Sequence, residues 1–213
     1  MGCYAVAEYR LWPGGTQPFL ARAHEVSEAL GLASGGGGLR VVIGDQDETQ
    51  ALWIARWDGP AAPGAADARL PAELRATLAA SVASGVGEPW RWYASLRTLE
   101  RVLAPATFCA AVRLRVAPED GDRLVESWLT PALSHVTSHP ELASIAALRA
   151  LDDPGAFIAL LEWRAPVGPQ LWRELLRLVP PPVPLLSWDR LVGRIGQTRD
   201  RHAAMERPTL VHA

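Results

Sequence analysis

The pattern of apolar and polar positions predicts the same order of strands and helices twice along this chain. In the first half, period-two alternation and short apolar runs predict strands, and 3.6-residue spacing predicts helices. The predicted strands are 3–11, 39–44, 50–57 and 89–103, and the predicted helices are 16–31 and 71–84. The second half has predicted strands at 107–116, 143–151, 156–164 and 184–194, with helices at 118–137 and 167–179. Each half therefore has the order β-α-β-β-α-β, which is a ferredoxin-like unit.

The two halves also coincide residue by residue at several positions. A shift of the sequence by 106 residues places Cys3 on Cys109 and Trp57 on Trp163. The hairpin that ends in each of these tryptophans matches in hydrophobic pattern without a gap. Self-similarity at a fixed offset is the signature of a repeated structural unit. The sequence therefore predicts a tandem duplication.

The predicted organisation is two repeats and a tail. The first ferredoxin-like unit covers residues 1–104, the second covers 105–198, and 199–213 form a polar C-terminal tail. A ferredoxin-like sheet carries its helices on one face, so its other face must be buried against a second layer. Two units in one chain can bury both bare faces against each other. We therefore expect an α+β fold in which the two units form one pseudo-twofold α/β barrel within the chain.

Composition narrows the class of protein. The chain has 213 residues, 49% of them hydrophobic, and a formal net charge of -2. These values are typical of a globular domain, and they exclude a disordered chain or one with a basic surface for nucleic acid. All 21 basic residues are arginines, which excludes a lysine Schiff base. No apolar run is long enough to span a bilayer, so we expect a cytoplasmic protein that does not bind membranes.

The segment 107–172 resembles a known family. The strand FCAAVRLRV, the hairpin ALRALDDPGAFIALLEWRAP and a following helix with Trp172 are similar to the antibiotic biosynthesis monooxygenase domain of the dimeric α+β barrel superfamily. The resemblance implies a cofactor-independent monooxygenase that acts on a small aromatic or quinone-like molecule, and we expect no cofactor. It also implies that the tandem copy builds within one chain what the family builds by dimerisation, and further homodimerisation stays open.

This chain departs from the oxygenase pattern around the strand tryptophan Trp163. The family's oxygenases carry Asn four residues before that tryptophan and Tyr six residues after it, whereas Ala159 and Pro169 stand here. Arg149 stands where the family has a histidine fourteen residues before it. The alternative function is therefore a non-enzymatic ligand-binding or interaction protein of the same fold.

Tryptophans are the candidate substrate-binding residues, because nine of them occur in the chain and aromatic walls suit a flat aromatic ligand. The candidates are Trp53, Trp57, Trp163, Trp172 and Trp128. The alternative is that these large rings only fill the core.

Arg149 is the candidate catalytic residue, because a fixed positive charge can stabilise an oxyanion that forms in oxygenation. The alternative is a salt-bridged arginine with Glu162 as its partner. His135 and His139 are four residues apart near a helix end, but no third ligand accompanies them, so we expect no metal site. Cys3 and Cys109 are interpreted as small buried thiols.

Overall fold

The computed structural model describes residues 2–29, 39–58, 82–85, 91–100, 106–166, 181 and 183–196. The strands within these ranges are β1 Gly2–Leu11, β2 Leu39–Gly44, β3 Gln50–Asp58, β4 Val82–Gly85, β5 Arg91–Glu100, β6 Phe108–Arg115, β7 Leu142–Ala150, β8 Ala156–Trp163 and β9 Ser187–Gly196. Helix α1 is Thr16–Ala29. Helix α2 is a continuous helical segment composed of Pro118–Asp120, Gly121–Leu124, Val125–Leu129 and Thr130–Val136.

Eight of these strands close into an antiparallel barrel. The hydrogen-bonded order is β3-β2-β9-β6-β8-β7-β5-β1, and β1 pairs again with β3 to complete the circle. The short strand β4 adds to the end of β1 outside this circle. Closure leaves none of the eight strands with a free edge, which removes the usual route to edge-to-edge association.

Each half of the barrel has the ferredoxin-like strand order. In the second unit, β6–β9 with α2, the order β9-β6-β8-β7 places the unit's fourth strand beside its first. In the first unit, β1–β5 with α1, the order β5-β1-β3-β2 is equivalent. Two junctions, β2–β9 and β5–β7, join the units in the same way. The predicted fold class is confirmed, whereas the gene duplication and the exact unit boundaries stay predictions.

Buried residues form three layers. The barrel interior is lined by apolar residues from both units, among them Val6, Val42, Leu148 and Leu191. A second cluster lies between α1 and the outer face of the first unit's strands. A third lies between α2 and the outer face of the second unit's strands. Strand side chains alternate between the interior and the helix-covered face, as the two-residue period requires.

Helix α2 contains one wide turn. The residues Val125–Leu129 are π-helical, and the backbone N–H of Thr130 donates to the carbonyl oxygen of Val125. Pro131 follows directly and has no N–H, and its ring would collide with the carbonyl oxygen four residues earlier in a regular α-helix. The π-turn relieves that collision, and it carries Trp128.

Two expectations are wrong in detail. The predicted helix 71–84 overlaps β4, so its residues 82–84 are a strand, and the rest of it lies outside the described residues, as do helix 167–179 and the tail. Cys3 and Cys109 are not equivalent, because Trp57 pairs with Cys3 whereas Trp163 pairs with Phe108. The first strands are thus offset by one residue, and a one-residue slip moves every side chain to the opposite face.

The junction between β2 and β9 requires a glycine. A Cβ atom at Gly193 would collide with the backbone carbonyl of Ile43 on the neighbouring strand. We expect Gly193→Ala to lower the free energy of unfolding by about 1–3 kcal/mol, because backbone atoms of the other unit must move. The measurement is urea unfolding followed by circular dichroism.

Gly196→Ala on the same strand is the matched control, because its Cβ would meet only the flexible side-chain end of Leu20. Equal losses in the two variants would contradict the idea that close backbone approach at this junction requires glycine.

Candidate functional site

Trp163 ends β8 on the helix-covered face of the second unit. It is 1% exposed and lies in the same buried cluster as α2 residues. Its indole Nε1 is buried, and no hydrogen-bond acceptor reaches it from the described residues. A buried donor without an acceptor is costly, so this N–H is suited to a ligand oxygen or a bound water. Trp163 is therefore the centre of the candidate site.

His139 contacts Trp163. The two ring centroids are 5.1 Å apart at an interplanar angle of 89°, an edge-to-face arrangement. The backbone N–H of Glu141 donates to Nδ1 of His139 at 3.2 Å. The accepting nitrogen carries no proton, so a neutral His139 has its proton on Nε2. The sequence pattern associates His139 only with His135 and a metal, because the contact with Trp163 joins residues 24 positions apart across the fold.

The candidate tryptophans fall into different places. Trp128, 5% exposed, belongs to the same cluster as Trp163. Trp53 is fully buried in the first unit, so it lies on the other side of the barrel from them. Trp57 lies on β3, but its side chain is outside the described part of the chain, and Trp172 lies outside it altogether. The structure thus brings together only Trp163 and Trp128 among the described candidates.

Trp53 is part of an aromatic group. Its ring lies 6.1 Å from that of Tyr9, which is 5.2 Å from the ring of Phe19 on α1. All three side chains are buried between α1 and the sheet. This layer of the first unit is filled by its own aromatic side chains.

Arg149 lies on the same sheet face as Trp163, but at the opposite end of it. On β8, Phe157 is the register partner of Arg149. Trp163 lies six positions further along the same strand, so roughly 20 Å of strand separate Arg149 from Trp163. Arg149 Nη1 lies 2.6 Å from a carboxylate oxygen of Asp122 on α2, and Nε donates to the carbonyl oxygen of Pro154 at 2.8 Å. Its guanidinium also lies 5.4 Å from the centre of the Phe157 ring. Through these contacts, Arg149 connects α2 to the β7–β8 hairpin.

Glu162 does not pair with Arg149, because it faces the barrel interior. It forms an ion pair with Arg40 of the first unit and accepts a hydrogen bond from Ser144 Oγ at 2.7 Å. Together with Arg56 and Glu100, which also pair, these residues line a pocket of about 30 Å³ at one barrel end. This volume accommodates a water molecule but is far below the 300 Å³ or more of ordinary ligand sites.

Ion pairs also cover the opposite end of the barrel. Arg113 of the second unit pairs with Glu8 of the first unit and with Asp189. Arg91 of the first unit pairs with Asp152 at 3.0 Å and with Asp153 at 3.3 Å. With apolar side chains between its two charged ends, the barrel is a packed core. The helix-covered faces are therefore the better place for a site.

The described cysteines and histidines indicate neither a thiolate nucleophile nor a metal site. Burial raises the pKa of the Cys109 thiol, and burial also raises the pKa of Cys3, so neither favours a thiolate nucleophile. No group of three or more His, Cys, Asp or Glu side chains suited to a metal ion occurs within the described ranges. Those ranges likewise include no helix long and apolar enough to cross a membrane.

Comparison with solved structures identifies the fold. A putative monooxygenase from Fusobacterium nucleatum subsp. nucleatum matches with a TM-score of 0.69 at 8% identity, over 92% of this chain and 93% of that chain. A putative monooxygenase from Lactobacillus acidophilus NCFM matches with a TM-score of 0.60 at 10% identity, over 92% and 93% of the two chains. An anthrone oxidase-like protein matches with a TM-score of 0.60 at 13% identity, over 92% of both chains.

The chain therefore shares its α+β barrel fold with these monooxygenase-like proteins. No protein-family model and no curated protein matches the sequence. At identities this low the likeness defines the fold alone, and function must be argued from the site.

Substitution of Arg149 tests whether its contacts stabilise the fold. We expect Arg149→Ala to lower the free energy of unfolding by about 0.5–1 kcal/mol, because Arg149 itself is 24% exposed whereas its partner Asp122 is 82% exposed and solvent weakens their attraction. Arg123→Ala is the control, since Arg123 is an exposed arginine on α2, the helix that carries the Arg149 partner Asp122. Thermal unfolding of both variants is the measurement. An Arg149 variant of unchanged stability would show that the guanidinium does not stabilise the packing of α2 against the β7–β8 hairpin.

Proposed function

We propose that the chain is a cofactor-independent monooxygenase-like enzyme that acts on a small aromatic or quinone-like molecule. The site is the helix-side layer of the second unit, with Trp163 as hydrogen-bond donor and Trp128 as an aromatic wall. The observation that carries the proposal is the buried Trp163 Nε1, which has no acceptor among the described residues. A cytoplasmic location and function as a pseudo-dimer within one chain belong to the same proposal.

The chemistry requires little from the protein. An activated aromatic methylene loses a proton to water to give an enolate, and the enolate passes an electron to dioxygen. The two radicals combine to a peroxide, which takes a proton back from water. The methylene becomes a carbonyl, one oxygen atom enters the product, and the other leaves as water with the two substrate hydrogens. Trp163 would donate its N–H to the enolate oxygen, and a donor placed at developing negative charge in a dry site lowers the barrier. The electrons come from the substrate, so no reductant is needed.

The second candidate is a non-enzymatic ligand-binding protein of the same fold. Two observations favour it. Arg149 is engaged with Asp122 and Pro154, about 20 Å along the sheet from Trp163, so it is not placed to hold an oxyanion there. Ala159 offers no polar atom where the family's oxygenases carry asparagine. In this case the indole N–H of Trp163 would only orient the ligand.

Oxygen uptake with an anthrone separates the two candidates. The anthrone oxidase-like neighbour makes 1,8-dihydroxy-9-anthrone the first substrate to test. We expect enzyme-dependent uptake, and a kcat about tenfold or more lower in Trp163→Phe, because phenylalanine keeps the ring but lacks the donor.

Trp12→Phe makes the same replacement at an exposed tryptophan and is expected to leave kcat unchanged. Binding of the anthrone without any uptake would retain the second candidate and refute the first.

A further inference from the structure

The pocket at the Arg40 end of the barrel, here called the inter-unit pocket, is lined by residues of both units. Its volume of about 30 Å³ has room for roughly two water-sized groups. The first unit contributes Tyr4, Arg40, Ile54, Arg56 and Glu100, and the second contributes Ser144, Ile145, Ala146, Leu160 and Glu162. An aromatic substrate does not fit this volume, so a ligand here is separate from the proposed function.

The acidic side chains of the inter-unit pocket already have partners. Glu162 pairs through one carboxylate oxygen with Arg40 Nε, and its other oxygen accepts a hydrogen bond from Ser144 Oγ at 2.7 Å. Glu100 pairs with Arg56. Both negative charges are thus compensated within the fold, so the pocket is not suited to a cation.

Hydrogen-bond donors, in contrast, are left over. Arg40 engages Glu162 through Nε, and no other acceptor among the described residues reaches its terminal nitrogens. Tyr4 is 6% exposed, and its hydroxyl group has no hydrogen bond from the described part of the chain, although Arg40 and Arg56 lie near it. A buried hydroxyl group without a partner is costly, so this one is suited to a bound group in the pocket.

Tyr93 shows that this situation is particular to Tyr4. The two tyrosines are register partners on neighbouring strands, and Tyr93 is 7% exposed. Its hydroxyl group accepts a hydrogen bond from Arg91 at the opposite end of the barrel. One buried tyrosine of the barrel interior is therefore satisfied by an arginine, whereas the other has a small cavity beside it.

We propose that the inter-unit pocket binds a small carboxylate of the size of formate, which accepts hydrogen bonds from the Tyr4 hydroxyl group and the terminal nitrogens of Arg40. The N–H groups of a guanidinium lie in one plane and match the two oxygens of a carboxylate. Those two oxygens take the two water-sized positions of the pocket. The Arg40 side chain is 40% exposed, so a ligand can reach it from solvent.

The first experiment uses the three tyrosines of the chain as reporters. In protein labelled with 3-fluorotyrosine, sodium formate is expected to shift the fluorine resonance of Tyr4 saturably. Tyr9 lies in the helix-side layer of the first unit, and its resonance should not move. The resonances are assigned with tyrosine-to-phenylalanine variants, and sodium chloride at equal ionic strength is the salt control. A Tyr4 resonance that ignores formate, or follows chloride equally, would overturn the proposal.

Formamide tests whether the pocket recognises a carboxylate. It has the same number of non-hydrogen atoms as formate and a similar shape, but it has no charge and one oxygen. Formamide at the same concentration is expected to shift the Tyr4 resonance much less. Equal binding of the two molecules would refute recognition of a carboxylate.

The second experiment removes the two donors separately. Tyr4→Phe keeps the ring without the hydroxyl group, and calorimetric titration should show formate binding weakened about fivefold or more. Arg40→Lys keeps a positive charge opposite Glu162 but lacks the planar donors, and should weaken binding as well, so one variant is measurable if the other is unstable. Tyr93→Phe is the matched control and should leave the affinity unchanged. Unchanged affinity in folded Tyr4→Phe and Arg40→Lys protein would refute the site.

Discussion

Backbone hydrogen bonding between the two units is the constraint on which the structure depends. Strand β2 pairs with β9 and β5 pairs with β7, so each unit supplies one edge to each junction. Without these junctions, the interior faces of both sheets would be exposed to water together with the strand edges. Their apolar residues become one core only because both junctions close.

Charged residues occur where the barrel interior meets water, and they cross between the units. Arg40 reaches Glu162 at one end, and Arg113 reaches Glu8 at the other. Such partly exposed pairs add little stability each, but an unpaired charge at these positions would be unfavourable. They therefore favour one register of the two units. Because apolar side chains fill the space between the ends, the barrel interior serves stability.

The two helix-covered layers are similar in architecture and different in content. Each layer holds aromatic side chains from both the sheet and the helix, Trp53 and Phe19 in the first unit and Trp163 and Trp128 in the second. Solved structures at 8–13% identity share the barrel, which shows how little of it depends on particular residues.

Local pattern was sufficient for the eight barrel strands and for the first helix of each unit, because alternation and helical spacing depend on near neighbours in the chain. The Asp-Pro-Gly hairpin before β8 and the strand that ends in Trp163 are as predicted. Strand β4 was missed because its pairing with β1 involves residues about 75 positions apart. The one-residue offset between Cys3 and Cys109 was also missed, since strand register is set by pairing and not by spacing.

The partners of individual side chains were decided by the tertiary structure alone. The sequence marks Arg149 and Glu162 as charges within apolar strands, but the register pairs Arg149 with Phe157, and Phe157 and Glu162 are five residues apart on β8, so the two charges lie on opposite faces of the sheet. It marks His139 as a helix-end residue, but only the fold places its ring against Trp163. By itself the sequence determined two ferredoxin-like units with buried strands. Which charges pair and which tryptophans meet depends on strand register over long separations, and that is a property of the closed barrel.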